Sequence, residues 1–266
     1  MPFLVLLYHR TPMGAAESVW DVPFDRFCYQ IILMKEAGVT FVPLSEISEE
    51  ETAGRETHVA ISFDDGHASN EPAFEFLSEH FIRPAAFIVR NWAKGRKGYL
   101  STESISRLAR ICEFGSHGST HVDLTTLSES CLKWELESSR EFLEDASGSA
   151  ISSMALPGGC SNSQVIAKAL ISGYRLIANS TPLLVKVPRG PVVNRFCITN
   201  DHADWLPVAL ASASRSYWVA KSIRVCSSGR MRYGLRSLRA FADAAELILL
   251  AHAAKGQRSR VRGDSL

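Results

Sequence analysis

None of the six cysteines, Cys28, Cys112, Cys131, Cys160, Cys197 and Cys226, belongs to a CxxC pair. That excludes the common thiolate zinc frameworks and leaves separate, reduced thiols. No uninterrupted apolar run approaches the roughly 20 residues a membrane-spanning helix needs. There is no internal repeat, no low-complexity tract and no Gly/Ser-rich linker. Residues 1–7 lack a basic n-region, a long apolar core and a small-residue cleavage site, so they read as a first buried strand and not as a signal peptide. A cytoplasmic protein is the expectation. An excess of one charge is also missing: 29 Lys plus Arg against 28 Asp plus Glu leaves +1, which argues against nucleic acid as a partner.

What is there is enough apolar material for a large core. With 266 residues, 46% hydrophobic and 21% charged, the chain is neither disordered, collagenous nor a coiled coil. Short apolar runs predict strands over 3–8, 40–44, 59–63, 85–89, 112–116, 151–156, 174–178 and 192–198. Helical patterns lie between them, near 24–37, 70–80, 102–110, 128–145, 163–172 and 204–213. Two helices carry start signals, Ser101-Thr102-Glu103 and Ser128-Glu129. Strands too apolar to have a wet face, alternating with helices, predict an α/β fold with a mainly parallel sheet covered by helices. Six or more such units in about 210 residues favour a barrel over two domains.

Four segments could carry chemistry. The strand 59–63 runs into Asp64-Asp65-Gly66, and adjacent carboxylates at a strand end need water, cations or a metal if buried. In a parallel barrel that end is where active sites lie; an ordinary Asp-Asp-Gly turn is the alternative. Second, His117 and His121 in Ser116-His117-Gly118-Ser119-Thr120-His121 are spaced so that both can face one cation, a carboxylate completing an open three-ligand site. Loop histidines with only hydrogen-bonding roles are the alternative. Two imidazoles and a carboxylate also form the facial triad of non-haem iron oxygenases, but the alternating pattern favours metal-assisted hydrolysis. Third, Leu156-Pro157-Gly158-Gly159 lets backbone N–H groups approach a ligand, or is a plain turn. Fourth, Arg195, inside an apolar strand, must meet an anion, for which Asp64 and Asp65 are candidates; a surface ion pair is the alternative.

These elements, in this order, resemble the NodB-like polysaccharide deacetylases over about residues 3–210. Tyr8-His9, Ser62-Phe63-Asp64-Asp65-Gly66, His117-Gly118-Ser119-Thr120-His121 and Leu156-Pro157-Gly158-Gly159 carry the likeness. The resemblance implies a distorted (β/α) barrel that hydrolyses N-acetyl groups of amino sugars with one divalent metal, usually zinc. It implies Asp64 as general base, Asp65, His117 and His121 as metal ligands, the Gly158 N–H as oxyanion donor, and Arg195 as the residue that orients the base. A carbohydrate bearing N-acetyl groups is the implied partner.

Three departures follow from that comparison. Gly118 replaces a frequent Ser or Thr, removing a hydrogen bond that would steady the histidine loop. Gly158 stands where an aromatic residue is frequent, which widens the groove. The third concerns the acid that protonates the leaving amine. Leu250-Ala251-His252 fits the family's Leu-x-His, yet Leu238, Phe241, Ala245, Ile248 and His252 share one helix face. A C-terminal amphipathic helix is therefore expected, and the acid stays open among His252, His202 and His9. A deformylase or another amidohydrolase acting on a sugar, and a catalytically dead saccharide-binding protein, are the competing readings. Residues 215–266 hold 11 Lys plus Arg against 3 Asp plus Glu, and residues 1–214 hold 18 against 25. The expectation is thus a mildly acidic catalytic barrel, 1–214, joined to a basic helical extension, 215–266, that either packs on the barrel or lies on an anionic membrane surface.

Overall fold

The computed structural model describes residues 2–47, 58–181, 185–186, 190–202, 204 and 206. Ten strands are found among them: β1 (Pro2–Tyr8), β2 (Thr40–Phe41), β3 (His58–Phe63), β4 (Ala85–Ile88), β5 (Glu113–Ser116), β6 (Ser153–Ala155), β7 (Leu176–Ala178), β8 (Val185–Lys186), β9 (Val192–Val193) and β10 (Phe196–Cys197). The α-helices are α1 (Phe24–Glu36), α2 (Glu71–Glu79), α3 (Arg90–Ala93), α4 (Thr102–Leu108), α5 (Glu129–Ser147) and α6 (Ser163–Ile171). None of these helices is long and apolar enough to cross a membrane.

The strands form one sheet in the order β10-β1-β3-β4-β5-β6-β7-β9, with β2 beside β3 and β8 beside β1. All pairs are parallel except β1 with β8. The alternation predicts an α/β barrel and the resemblance implies a distorted one, and the sheet has that curled, mainly parallel form. Strands β3 and β4 are buried along their whole length because both faces are covered. On β1, Leu4, Leu6 and Tyr8 join the outer core with Phe27 and Ile31 of α1, while Phe3 and Val5 join a smaller inner core with Ala60, Ala85, Phe87, Ala155 and Ala178. The helix starts form as expected: the Ser101 side chain accepts from the Ser104 N–H and that of Ser128 from the Cys131 N–H.

The last predicted strand, 192–198, is two strands on opposite edges of the sheet. Val193 pairs with Ala178 of β7, and Phe196 pairs with Leu6 of β1. Three residues reach at most about 10 Å, so the two edges curl to within one short span, bridged by Asn194-Arg195. Strand 40–44 is likewise cut to Thr40–Phe41, because Pro43 offers no N–H to a ladder and Leu44 opens a 3-10 turn. The expected C-terminal amphipathic helix and its His252 lie outside the described residues. So does the helix at 204–213, apart from Asp204 and Leu206.

The barrel interior is narrow, and one glycine decides how it packs. A Cβ on Gly115 would stand 2.5 Å from the Phe87 ring and 2.7 Å from Ser153 Oγ. Only a bare backbone lets Phe87 lie across the interior, where its ring sits 5.2 Å beneath the Arg195 guanidinium. Gly115→Ala is expected to destabilise the fold by about 1–3 kcal/mol through overpacking. Phe87→Leu in the same chain should recover part of that loss, as measured by urea unfolding of the two single variants and the double variant.

Candidate active site

Asp64 and Asp65 leave β3 at its C-terminal end. The Asp64 N–H donates to the Tyr8 carbonyl (3.0 Å), so the pairing of β1 with β3 carries on into the site. Asp64 is buried, and the fully buried Arg195 grips it through two parallel bonds, Nη1 to Oδ1 at 2.6 Å and Nη2 to Oδ2 at 2.7 Å. Arg195 Nε donates to the Asn179 carbonyl at 2.9 Å. The guanidinium is thereby held by β3, by the end of β7 and by the Phe87 ring. Burial alone would push the Asp64 carboxyl up; the charges of Arg195 and His117, with the Arg195 hydrogen bonds, outweigh it and hold the pKa at about 2. Asp64 is an ionised carboxylate at neutral pH.

Asp65 turns away from the strand with φ +71°, and His121 has φ +62°. A left-handed backbone at a residue with a side chain is uncommon and costs energy. Here it brings three groups to one point. Asp65 Oδ1 lies 3.5 Å from His117 Nε2 and 3.3 Å from His121 Nε2, and one donor atom from each residue lies within 4.8 Å of the others. Asp65 Oδ1 is buried with no hydrogen-bond partner among the described residues.

His117 explains why that oxygen is left alone. Its Nδ1 is 2.9 Å from the Ala155 carbonyl, to which it donates, so the neutral ring presents a lone pair at Nε2. Burial lowers its affinity for a second proton, against the pull of Asp64 and Asp65. A lone pair aimed at an unpartnered carboxylate oxygen suits a cation between them, and the Nδ1–H to carbonyl bond is the usual outer support of a ligating histidine. The donor set of two imidazoles and one carboxylate fits zinc or a similar divalent metal in an open site.

Glu135, not singled out from the sequence, holds the histidine loop. Buried on α5, its Oε2 accepts from the Ser119 N–H (2.6 Å) and the Thr120 N–H (3.1 Å), and its Oε1 accepts from the Thr120 hydroxyl. A Cβ on Gly118 would stand 3.1 Å from Glu135 Oε2, and Gly118 has φ +75°. The expected loosening of the loop at Gly118 is therefore not found: the glycine admits a carboxylate that replaces the missing hydroxyl. One sequence signal pointed to it. Leu132, Glu135, Leu136, Ser139 and Leu143 share the buried face of α5, and a charge on such a face needs partners.

Gly158 lies in the 3-10 turn Pro157–Gly159 after β6, with φ +63° and only Cys160 Sγ, at 3.9 Å, near the place of a Cβ. Pro157 of that turn packs against Gly118. Of the two candidate acids among the described residues, His9 is the one at the site. Its carbonyl accepts from Asn70 Nδ2 (2.8 Å), its ring packs 4.8 Å from Trp20, and burial lowers its proton affinity against the pull of Asp64 and Asp65. His202 is engaged in its own turn: its Nδ1 accepts from the Thr199 N–H at 3.0 Å, and burial lowers its proton affinity against the pull of Asp201.

A curled parallel sheet thus carries a buried Arg–Asp pair beside an Asp-His-His cluster at its C-terminal end. Residues 51–177 match the family model described as polysaccharide deacetylase, to which this segment is similar. Solved structures share the fold. The deacetylase PplD of Streptococcus pyogenes, in complex with acetate, superposes with a TM-score of 0.72 at 18% identity, covering 80% of this chain and 99% of that one. IcaB from Ammonifex degensii gives 0.68 at 23% identity, over 80% and 97%. A de-N-acetylase from Aggregatibacter actinomycetemcomitans gives 0.68 at 15%, over 76% and 97%. No curated relative matches the chain.

Glu135→Ala would leave two backbone N–H groups and a hydroxyl without their acceptor. A loss of about 3 kcal/mol in unfolding free energy is expected. Glu135→Gln keeps one acceptor oxygen and should lose less, as read by urea denaturation of both variants.

Proposed function

We propose that the chain removes N-acetyl groups from amino sugars in an oligosaccharide or polysaccharide, using a divalent cation held by Asp65, His117 and His121. The observation that carries this reading is the bidentate Arg195–Asp64 pair set beside that cluster. A cation there, with zinc well suited to the donors, would polarise the acetyl carbonyl and make a nearby water more acidic.

The chain's own residues supply the rest. Asp64 accepts the proton of the attacking water at a carboxylate oxygen, and Arg195 keeps that carboxylate ionised and aimed. The pairing with Arg195 lowers Asp64's basicity, so proton transfer depends on the water being acidified. The Gly158 N–H donates to the oxygen on which negative charge develops, a contact worth about 100-fold in rate or more. His9, held through Asn70 and Trp20, protonates the leaving nitrogen. Gly158 carries no side chain, and only Cys160 Sγ, at 3.9 Å, borders the place of one.

Asp64→Asn is expected to abolish turnover and leave metal content near one ion per chain. His117→Ala should lose both. Elemental analysis of the purified variants, with mass spectrometry of acetylated sugar oligomers, reads the two outcomes. Acetyl loss catalysed by Asp64→Asn would overturn the assignment of the base, and formyl loss in place of acetyl loss would favour a deformylase.

A further inference from the structure

We propose that the loop after β4 selects glycans carrying an anionic group close to the scissile amide; this rests on the deacetylase reading above and names the substrate's charge. The loop is fastened at both ends to the segments that bear the Asp-His-His cluster. At its start, the N–H groups of Arg90 and Asn91 donate to the carbonyls of Gly118 and Ser119 at 3.1 and 2.9 Å. At its end, the Leu100 N–H donates to the Gly66 carbonyl and the Ala68 N–H to the Gly98 carbonyl, both at 2.9 Å.

Within this fixed loop the sequence Arg90-Asn91-Trp92-Ala93-Lys94-Gly95-Arg96-Lys97 holds four cations and no carboxylate. None of the four forms an ion pair among the described residues. Yet residues 1–214 are net acidic, with 18 Lys plus Arg against 25 Asp plus Glu.

Arg96 is placed, not loose. Its guanidinium lies 4.5 Å from the Trp92 ring and 4.8 Å from the Tyr99 ring, and the Trp92 ring is 5.0 Å from the imidazole of His121. Two stacking steps therefore separate an exposed guanidinium from the cluster, within reach of a substituent on the sugar unit whose amide faces it. Stacking fixes the guanidinium plane and leaves its N–H edge free, so an oxyanion meets a preorganised fork. Lys94 and Lys97, exposed on the same loop, add point charges. A neutral sugar gains only ordinary hydrogen bonds from such a group, whereas a phosphate or carboxylate gains stronger, charge-assisted ones.

The test titrates the full chain with three N-acetylated oligosaccharides of equal length, one neutral, one bearing a phosphate ester and one bearing a uronate, by calorimetry at low and high salt. The wild type should bind at least one anionic form about 10-fold more tightly than the neutral one, and the advantage should shrink as salt screens it. It should fall most of the way in Arg96→Ala, and fully in a variant that also carries Lys94→Ala and Lys97→Ala. Whichever of phosphate or uronate keeps the advantage names the anion. Equal affinity for all three, or an advantage untouched in both variants, overturns the inference. Mass spectrometry of the same mixtures separates it from the reading beneath it. Acetyl loss without any anionic preference leaves the deacetylase and removes the selectivity; an anionic preference without acetyl loss from any oligomer does the reverse.

Discussion

The buried pair between Arg195 and Asp64 is the interaction on which the rest of the structure depends. Arg195 sits in the two-residue span that carries the chain from β9 at one edge of the sheet to β10 at the other. Asp64 stands at the end of β3, two strands in from the β10 edge. Neither charge would be tolerated there without the other, since one left alone in a buried setting costs about 3–5 kcal/mol. The closure of the barrel and the ionisation of the proposed base are therefore one event. Gly115 and Phe87 belong to the same arrangement, the first by being small enough to admit the second beneath the guanidinium.

Around this pair the fold holds two strained residues in place. Asp65 and His121 both have left-handed backbones, each costing about 1–3 kcal/mol where nothing compensates. The compensation comes from outside the cluster. The ladder between β1 and β3 extends through the Asp64 N–H, and Glu135 gathers the N–H groups just before His121. A site assembled this way has its donor atoms in position before any ligand arrives, which is what rapid polar chemistry needs. Such rigidity also gives the loop after β4 its meaning, because stacked and fastened cations present a fixed charge pattern to a substrate.

Much of this was legible in the residues. Apolar runs without alternation marked the parallel strands, and serines ahead of helical patterns marked the starts of α4 and α5. Asp64, Asp65, His117, His121 and Arg195 stood out as polar groups attached to apolar strands, where each demands a partner, and the structure brings those five together. Strand 192–198 misled because hydrophobicity records burial and not which neighbour a residue pairs with. Gly118 misled because a missing side chain looks like lost support until the carboxylate that uses the space is seen. His9 and His202 could not be told apart along the chain, both being histidines near strand ends.

The sequence by itself determined the local chemistry: which segments become strands and helices, which side chains can hold a cation or a proton, and that a buried arginine must find a carboxylate. Those are properties of residue type and spacing. Only the tertiary structure decided the partners. It gave Arg195 to Asp64 and not to Asp65, split one apolar run between two sheet edges, set Glu135 behind the histidine loop, and laid Arg96 two aromatic rings away from His121. Each of these joins residues far apart in the chain, and such distances close only when the sheet curls and its helices pack.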